Sequence, residues 1–280
     1  MTTTQTTTRP LILLTNDDGI HSPGLIAAAE AVCDLGDLLI VAPATQQTGM
    51  GRGTPPIING AITEEHLRIR CQDVAAYSLT GSPAQTVIYA VLVLAPRRPD
   101  LVISGINYGE NPGTCVTSSG TVGAALQGAE FGIPALAVSL ETDKQYHYQH
   151  GEDVDWRAAA QFTRKMAQAV LAAQLPFDVD VLKIDVPTDA TDETPWRITR
   201  QSRQSYYRLF RPEGAQADEK SGWVHLDYDV IIDWDALEPD SDIAVFVRDR
   251  AISVTPLSHD LTSRVDFGAL QQTLQRLGTT

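Results

Sequence analysis

Two adjacent carboxylates, Asp17 and Asp18, directly follow the apolar run at residues 11–14 and precede Gly19. Neighbouring carboxylates repel each other unless a cation, a shared proton or strong hydrogen-bond donors neutralise them. Pairs of carboxylate oxygens suit hard divalent ions such as Mg²⁺, Mn²⁺ or Ca²⁺. The pair therefore predicts a divalent metal site or, because Asp and Gly are common turn residues, an ordinary loop turn.

Two further polar residues could supply neutral ligands to the same ion. Thr48 stands beside Gly49 in the loop after the second apolar run, and its hydroxyl could bind the ion or cap a turn. Asn107 lies in the segment SGINYGEN, where its carbonyl oxygen could be a ligand or the residue could form an Asx turn. Each signal alone is weak, but the coincidence of three favours a metal site.

A candidate anion site follows shortly after Asn107. Ser118, Ser119, Gly120 and Thr121 directly precede a run of small residues that is typical of a packed helix. Hydroxyl groups, unpaired backbone N–H groups and the positive end of a helix dipole would meet there, and phosphate is a natural ligand for them. Alternatively, Ser119 or Thr121 only caps the helix, a role that is compatible with anion binding.

The apolar runs before these loops alternate with helix signals. Ser22 followed by Pro23, and Ser82 followed by Pro83, are typical helix starts with a serine cap and a proline in the first turn. The predicted strands cover residues 11–14, 38–42, 101–103, 135–138 and 181–186. The predicted helices cover residues 25–33, 83–94, 121–131 and 156–173. This order predicts a Rossmann-like, doubly wound α/β fold with a mostly parallel sheet.

The parallel sheet explains how distant residues could form one site. In open sheets of this kind, ligands bind outside the carboxyl ends of the strands. The loops that carry Asp17, Thr48 and Asn107 all follow predicted strands, so we expect them to lie at the same edge of the sheet.

The pattern changes after residue 195. Short predicted strands at 196–199, 206–210 and 223–228 indicate a projecting β arm at roughly 196–235, which we expect to serve oligomerisation. A short helix at 243–247, a strand at 252–255 and an amphipathic helix at 267–277 complete the chain. We therefore predict a flexible Thr-rich tail at residues 1–8 and a single α/β domain at 9–280.

Composition excludes several classes of protein. The chain of 280 residues is 43% hydrophobic and 20% charged, which is typical of a globular protein. Its formal charge of −14 disfavours binding to nucleic-acid duplexes or anionic membranes. The three cysteines are widely spaced, so a reducing cytoplasm is the expected location. No apolar run reaches the roughly 18 residues of a membrane span, and the start lacks a signal-peptide pattern.

At the residues discussed above, the chain resembles the SurE family of metal-dependent 5′/3′-nucleotidases. The matching stretches are LLTNDDGIHSPG, the loop at 42–49, residues 81–84, PDLVISGINYG and SGTVGAA. Weaker similarity occurs at residues 184–187 and 254–257. The resemblance therefore extends over most of the chain, while its specific motifs lie in the first half.

The resemblance implies one divalent ion per subunit (Mg²⁺, Mn²⁺ or Ca²⁺), bound by Asp17, Asp18, Thr48 and Asn107. It also implies hydrolysis of nucleoside 5′- and 3′-monophosphates, and a homodimer or homotetramer formed through the C-terminal segment. In our interpretation Asp17 and Asp18 are catalytic, and Asn111 acts with residues 118–121 to bind the phosphate oxygens. Attack by a metal-activated water and attack by a carboxylate, which would form an aspartyl phosphate, are both compatible with these residues.

Three departures from the family pattern bear on substrate preference more than on metal binding. Thr48 stands where the family usually has Ser, Ser118 replaces the usual Tyr before SGT, and Gln85-Thr86 replace Asp-Cys. One alternative function is therefore a metal-dependent nucleotide-binding regulator with little or no turnover. Another is a broad-specificity acid phosphatase with little preference for the base.

Overall fold

The computed structural model describes residues 9–56, 60–70, 72–147, 151, 153–218 and 222–277. The predicted tail at residues 1–8 lies outside the described residues. The described strands are β1 (Leu11–Thr15), β2 (Asp37–Pro43), β3 (Ile62–Ile69), β4 (Gln72–Leu79), β5 (Leu101–Tyr108), β6 (Ala135–Leu140), β7 (Val181–Val186), β8 (Trp196–Ile198), β9 (Tyr207–Phe210), β10 (Asp227–Val230) and β11 (Ile252–Leu257). The described α-helices are α1 (Pro23–Val32), α2 (Pro83–Tyr89), α3 (Gly120–Glu130), α4 (Arg157–Ala172) and α5 (Phe267–Leu277).

Within the described residues, nine strands form one sheet in the order β3-β4-β2-β1-β5-β6-β7-β11-β8. The neighbours from β4 to β7 in this order pair in parallel, and β1 lies between β2 and β5. Helices α1 and α4 pack together on one face, and α2 and α3 pack together on the other. The fold is therefore the doubly wound α/β architecture that the sequence predicts.

The helix starts follow the predicted local chemistry. Helix α1 begins at Pro23 after Ser22, and it buries small and aliphatic residues such as Leu25 and Ala28 against the sheet. Helix α2 begins at Pro83 with a complete capping box, in which Ser82 and Gln85 satisfy each other's backbone N–H groups. Both predicted starts are confirmed in position, but the Ser22 side chain makes no capping hydrogen bond, so the predicted serine cap holds only for α2.

An antiparallel hairpin, β3–β4, extends one edge of the sheet and was not predicted. Strand β3 has the sequence ITEEHLRI, and only Leu67 and Ile69 of its residues are buried. Because an edge strand exposed to solvent carries few apolar side chains, its alternating pattern is weak in the sequence.

The segment after residue 195 is divided between two sheets. Strand β8 pairs in parallel with β11 and so belongs to the main sheet, although we predicted it within the projecting arm. Strands β9 and β10 form a separate antiparallel pair, with Tyr228 opposite Leu209. The predicted strand at 223–228 is wrong in its bounds, because β10 begins only at Asp227, and before it Val224 forms just an isolated bridge with Ala217. Among the described residues, no helix is long and apolar enough to cross a membrane.

Candidate functional site

The carboxyl ends of β1, β2 and β5 meet at a cavity of about 350 Å³. Its lining includes six of the predicted site residues, namely Asp17, Thr48, Asn107, Asn111, Ser118 and Ser119. The other three, Asp18, Gly120 and Thr121, are buried beside it and contact Asp17 or neighbouring strands rather than the cavity. The structure thus brings the candidate residues of four separate segments together.

Asp17 is held by the first turn of helix α3. The hydroxyl of Thr121 donates to Asp17 Oδ1 at 2.5 Å, and the backbone of Gly120 and Thr121 also hydrogen-bonds this carboxylate. Burial raises the pKa of Asp17 to about 6 in spite of these hydrogen bonds, which act in the opposite direction. The carboxylate therefore lies at the positive end of a helix but is shielded from solvent.

Asp18 is fixed by β5 and by the loop after β2. Its two oxygens accept from the Tyr108 backbone N–H and from Gln46 Nε2, each at 3.1 Å. Burial, followed by the charge of Asp17, raises the pKa of Asp18 well above its usual range. Two buried carboxylates side by side are a costly arrangement unless a positive charge is shared between them.

The donor set fits a single hard divalent cation. Asn107 Nδ2 donates to the backbone oxygens of Tyr108 and Gly109, at 3.0 and 2.6 Å, which leaves Oδ1 as the atom available to a ligand. The described residues contain no group of three or more His, Cys, Asp or Glu that could hold a metal ion. A metal here would therefore depend on the Asp17 and Asp18 carboxylates together with the neutral oxygens of Thr48 and Asn107.

The predicted anion site is the N-terminus of α3. Ser119 caps this helix, since its side chain accepts from the Val122 N–H at 3.2 Å. Ser118 Oγ donates to the Cys115 carbonyl at 3.2 Å, so this side chain is already engaged within the loop. The capping role of Ser119 is confirmed, and the helix end opens onto the same cavity as Asp17.

Several lining residues escaped the sequence analysis. Glu110 and His147 line the cavity, as do Tyr207, Leu209 and Tyr228 from the β9–β10 pair. Only the clustering of tyrosines near residue 206 could have suggested them, because nothing in the sequence indicates that this segment folds back over the loops. His147 Nδ1 lies 2.8 Å from the Tyr228 hydroxyl, and the two rings are nearly parallel, with their centroids 6.0 Å apart.

Glu110 is a buried carboxyl group at the cavity. Burial raises its pKa to about 7, although a hydrogen bond from its own backbone acts in the opposite direction. Because the folded state binds this proton more tightly than the unfolded state, stability falls as pH rises from about 4.5 to about 7.

Glu110→Gln should remove this pH-dependent cost. Relative to the wild type, the variant should gain up to about 3 kcal/mol in free energy of unfolding at pH 8 and little at pH 4.5. Urea unfolding of both proteins in EDTA at the two pH values measures the difference. An equal effect of the substitution at both pH values would contradict a raised pKa at Glu110.

The fold and the site together define a class: a Rossmann-like α/β protein with an acidic ligand cavity at the carboxyl edge of its sheet, beside a helix N-terminus. The family model described as survival protein SurE matches residues 12–208. The chain therefore belongs to the SurE family.

Relatives from several organisms support this membership. The chain is 39% identical over 268 residues to the 5′-nucleotidase SurE of Thermococcus gammatolerans, covering 94% of this chain and 95% of that protein. It is 40% identical over 273 residues to the 5′-nucleotidase SurE of Methanocella arvoryzae, with the same coverage of 94% and 95%. The crystal structure of the SurE protein from Aquifex aeolicus superposes with a TM-score of 0.72 at 28% identity, covering 96% of this chain and all of that one.

Proposed function

We propose that this chain is a divalent-metal-dependent nucleotidase that hydrolyses nucleoside 5′-monophosphates, and also 3′-monophosphates, to nucleoside and phosphate. Membership of the family supports the activity, since its relatives are named 5′-nucleotidases. The observation that carries the proposal is the buried carboxylate of Asp17 at a cavity that the N-terminus of α3 also faces, with the buried carboxylate of Asp18 next to it.

Asp17, Asp18, Thr48 and Asn107 would hold one Mg²⁺, Mn²⁺ or Ca²⁺ per subunit. Such an ion supplies Lewis-acid polarisation of the phosphoryl group and a bound water of lowered pKa. The Thr121 hydroxyl donates to Asp17 and Gln46 Nε2 donates to Asp18, and these hydrogen bonds hold both carboxylates in place beside the cavity.

The substrate phosphate would lie between the metal ligands and the start of α3. The start of this helix offers a positive dipole to the phosphoryl oxygens, and the side chains of Ser119 and Asn111 offer hydrogen-bond donors. The N–H groups of Gly120 and Thr121 are already directed at Asp17, and the Val122 N–H donates to Ser119 Oγ. Phosphoryl transfer requires mainly such positioning and charge stabilisation. Tyr207 and Tyr228, which line the same cavity, would contact the nucleoside.

Two routes of hydrolysis differ in one observable. In the first, water attacks phosphorus, and Asp17 and Asp18 remain free of covalent change. In the second, one of these carboxylates attacks, releases the nucleoside and carries the phosphoryl group until water removes it. We favour the first route, and trapping phosphate on Asp17 or Asp18 would overturn it.

Phosphate release from purified protein tests the activity. With Mn²⁺ present, we expect turnover of 5′-AMP and 5′-GMP, slower or equal turnover of 3′-AMP, and no release after treatment with EDTA. Binding of AMP without release would support the regulator, the first alternative function. Equal turnover of β-glycerophosphate and AMP would support a broad-specificity phosphatase.

We further propose a homodimer or homotetramer formed through the C-terminal segment. Helix α5 exposes Phe267, Leu270 and Leu274, a row of apolar side chains that a partner subunit could cover. Light scattering of the full chain and of a chain ending before residue 260 tests the proposal. The same number of subunits per particle for both chains would contradict the proposal.

A cytoplasmic location remains a prediction from the cysteine usage.

A further inference from the structure

Three charged side chains lie fully buried behind the loop that carries Asn111. Lys183 and Asp185 are two residues apart on β7, and Asp242 immediately precedes a short helical segment at Ala244–Arg248. Lys183 Nζ forms an ion pair with Asp185 and a second one with Asp242 at 3.0 Å. We call these three residues the buried triad.

The lysine of the triad remains charged inside the protein. Burial by itself lowers the pKa of Lys183, but the charges of Asp185 and Asp242 outweigh burial and raise the pKa above the ordinary lysine value. Removing the lysine alone would leave two carboxylates without a counter-charge in the core, which is strongly destabilising. The triad is therefore an interdependent unit.

The carboxylates of the triad also hold the backbone of the Asn111 loop. Asp185 Oδ1 accepts from the Asn111 N–H at 2.8 Å, and Asp242 Oδ2 accepts from the Gly113 N–H at 2.9 Å. The side chain of Asn111 donates to Ser139 Oγ at 2.8 Å. The residue thus has its backbone fixed to β7 and its side chain fixed to β6, while it lines the cavity.

The buried triad also contacts the segment that precedes β9. Asp242 Oδ1 accepts from the Ser202 N–H at 2.9 Å, and the Thr114 N–H donates to the Gln204 carbonyl at 3.0 Å. The Asn111 loop and the segment before β9 therefore share one anchor. Tyr207, which also lines the cavity, follows that segment directly.

We propose that Asp185 and Asp242 position the phosphate-binding loop at residues 111–113, and that Lys183 makes this possible by neutralising them. This inference rests on the proposed function, and it makes the triad a positioning device rather than a catalytic group. The expected effect is large for residues that do not touch substrate, because a misplacement of about 1 Å can cost about 100-fold in rate.

A matched pair of charge-free variants separates positioning from simple stability. Lys183→Met, Asp185→Asn and Asp242→Asn together remove all three charges and keep an acceptor oxygen for the Asn111 N–H. The partner variant carries Asp185→Leu in place of Asp185→Asn, so the two proteins differ only in that acceptor. Both are measured for melting temperature, for inorganic phosphate binding in Mn²⁺ by calorimetry, and for kcat and KM with AMP.

We expect both variants to fold, and the leucine variant to bind inorganic phosphate at least 10-fold more weakly than the asparagine variant, with KM for AMP raised to match. Equal phosphate affinity and equal kinetics in the two proteins would overturn the proposal. A wild type that neither binds phosphate nor releases it from AMP would instead refute the proposed function.

Amide hydrogen exchange in the wild type provides a test that does not depend on any variant folding. The Asn111 and Gly113 amides should be protected to the level of the central strands β1 and β5, because buried carboxylates accept their hydrogen bonds. Exchange at the rate of exposed loop amides would overturn the proposal, whatever the enzyme's activity.

Discussion

Asp17→Asn should lower kcat/KM for AMP by at least about 1,000-fold, because it removes the charge of a proposed metal ligand and with it several kcal/mol of transition-state stabilisation. The substitution changes little else: Asn can still accept from the Thr121 hydroxyl through its carbonyl oxygen. Phosphate release at saturating Mn²⁺ measures the loss of turnover. The rise in melting temperature that Mn²⁺ produces measures the loss of metal binding. The wild type should show that rise and the variant should not.

Asp34→Asn is the matched control for this prediction. Asp34 is an exposed residue that pairs with Arg164, so the same chemical change occurs away from the cavity. This variant should keep wild-type turnover and the wild-type response to Mn²⁺. Turnover by Asp17→Asn within 10-fold of the wild type would show that Asp17 is not a metal ligand.

Gly120→Ala should reduce turnover about 100-fold through a steric effect on Asp17. A Cβ atom at position 120 would lie 2.7 Å from both Asp17 Cβ and Asp17 Oδ2, which is closer than such atoms can approach. The carboxylate would have to move away from the Thr121 hydroxyl and from the other proposed metal ligands. Titration of activity with Mn²⁺ should show a higher metal requirement as well as a lower maximum rate.

Gly128→Ala introduces a similar clash at the other end of α3. Its Cβ would lie 2.7 Å from Val102 Cγ2, an apolar contact in the core, so stability should fall while the metal requirement stays unchanged. If Gly120→Ala and Gly128→Ala changed the stability and the metal requirement to the same extent, the effect of Gly120→Ala would be on folding and not on the site.

The structure assigns physical roles to two of the departures from the family pattern. Gln85 completes the capping box of α2, and Thr86 Oγ1 lies 2.9 Å from Thr15 Oγ1 in the core. Neither residue lines the cavity that contains Asp17. These two residues therefore serve the start of α2 and its packing, whereas Thr48 and Ser118 line the cavity and are the departures that we expect to bear on the substrate.

Five strands of the parallel core, β1, β2, β5, β6 and β7, could be predicted because each is marked by an apolar run in its local sequence. A continuous apolar run such as β1 is buried on both faces, so its sequence contains no polar interruption, and the Ser-Pro starts of α1 and α2 act within a few residues. The hairpin β3–β4 lacked such a signal, because pairing along a solvent-exposed edge tolerates charged residues.

The residues of the candidate site also include some that the local sequence reveals and others that it does not. Asp17, Asp18, Asn107 and Ser119 stand next to strand ends or a helix start, and their chemistry is visible in the residues themselves, so the amino-acid sequence alone determined the carboxylate pair and the helix cap. Only the tertiary structure decided which distant groups complete the cavity. Glu110 follows Asn107 in the same loop, whereas His147 and the tyrosines of the β9–β10 pair reach the cavity from distant segments of the chain. The buried triad likewise joins β7 to the segment before β11. Short-range propensities carry no information about such contacts, since these arise only when apolar burial packs the layers together.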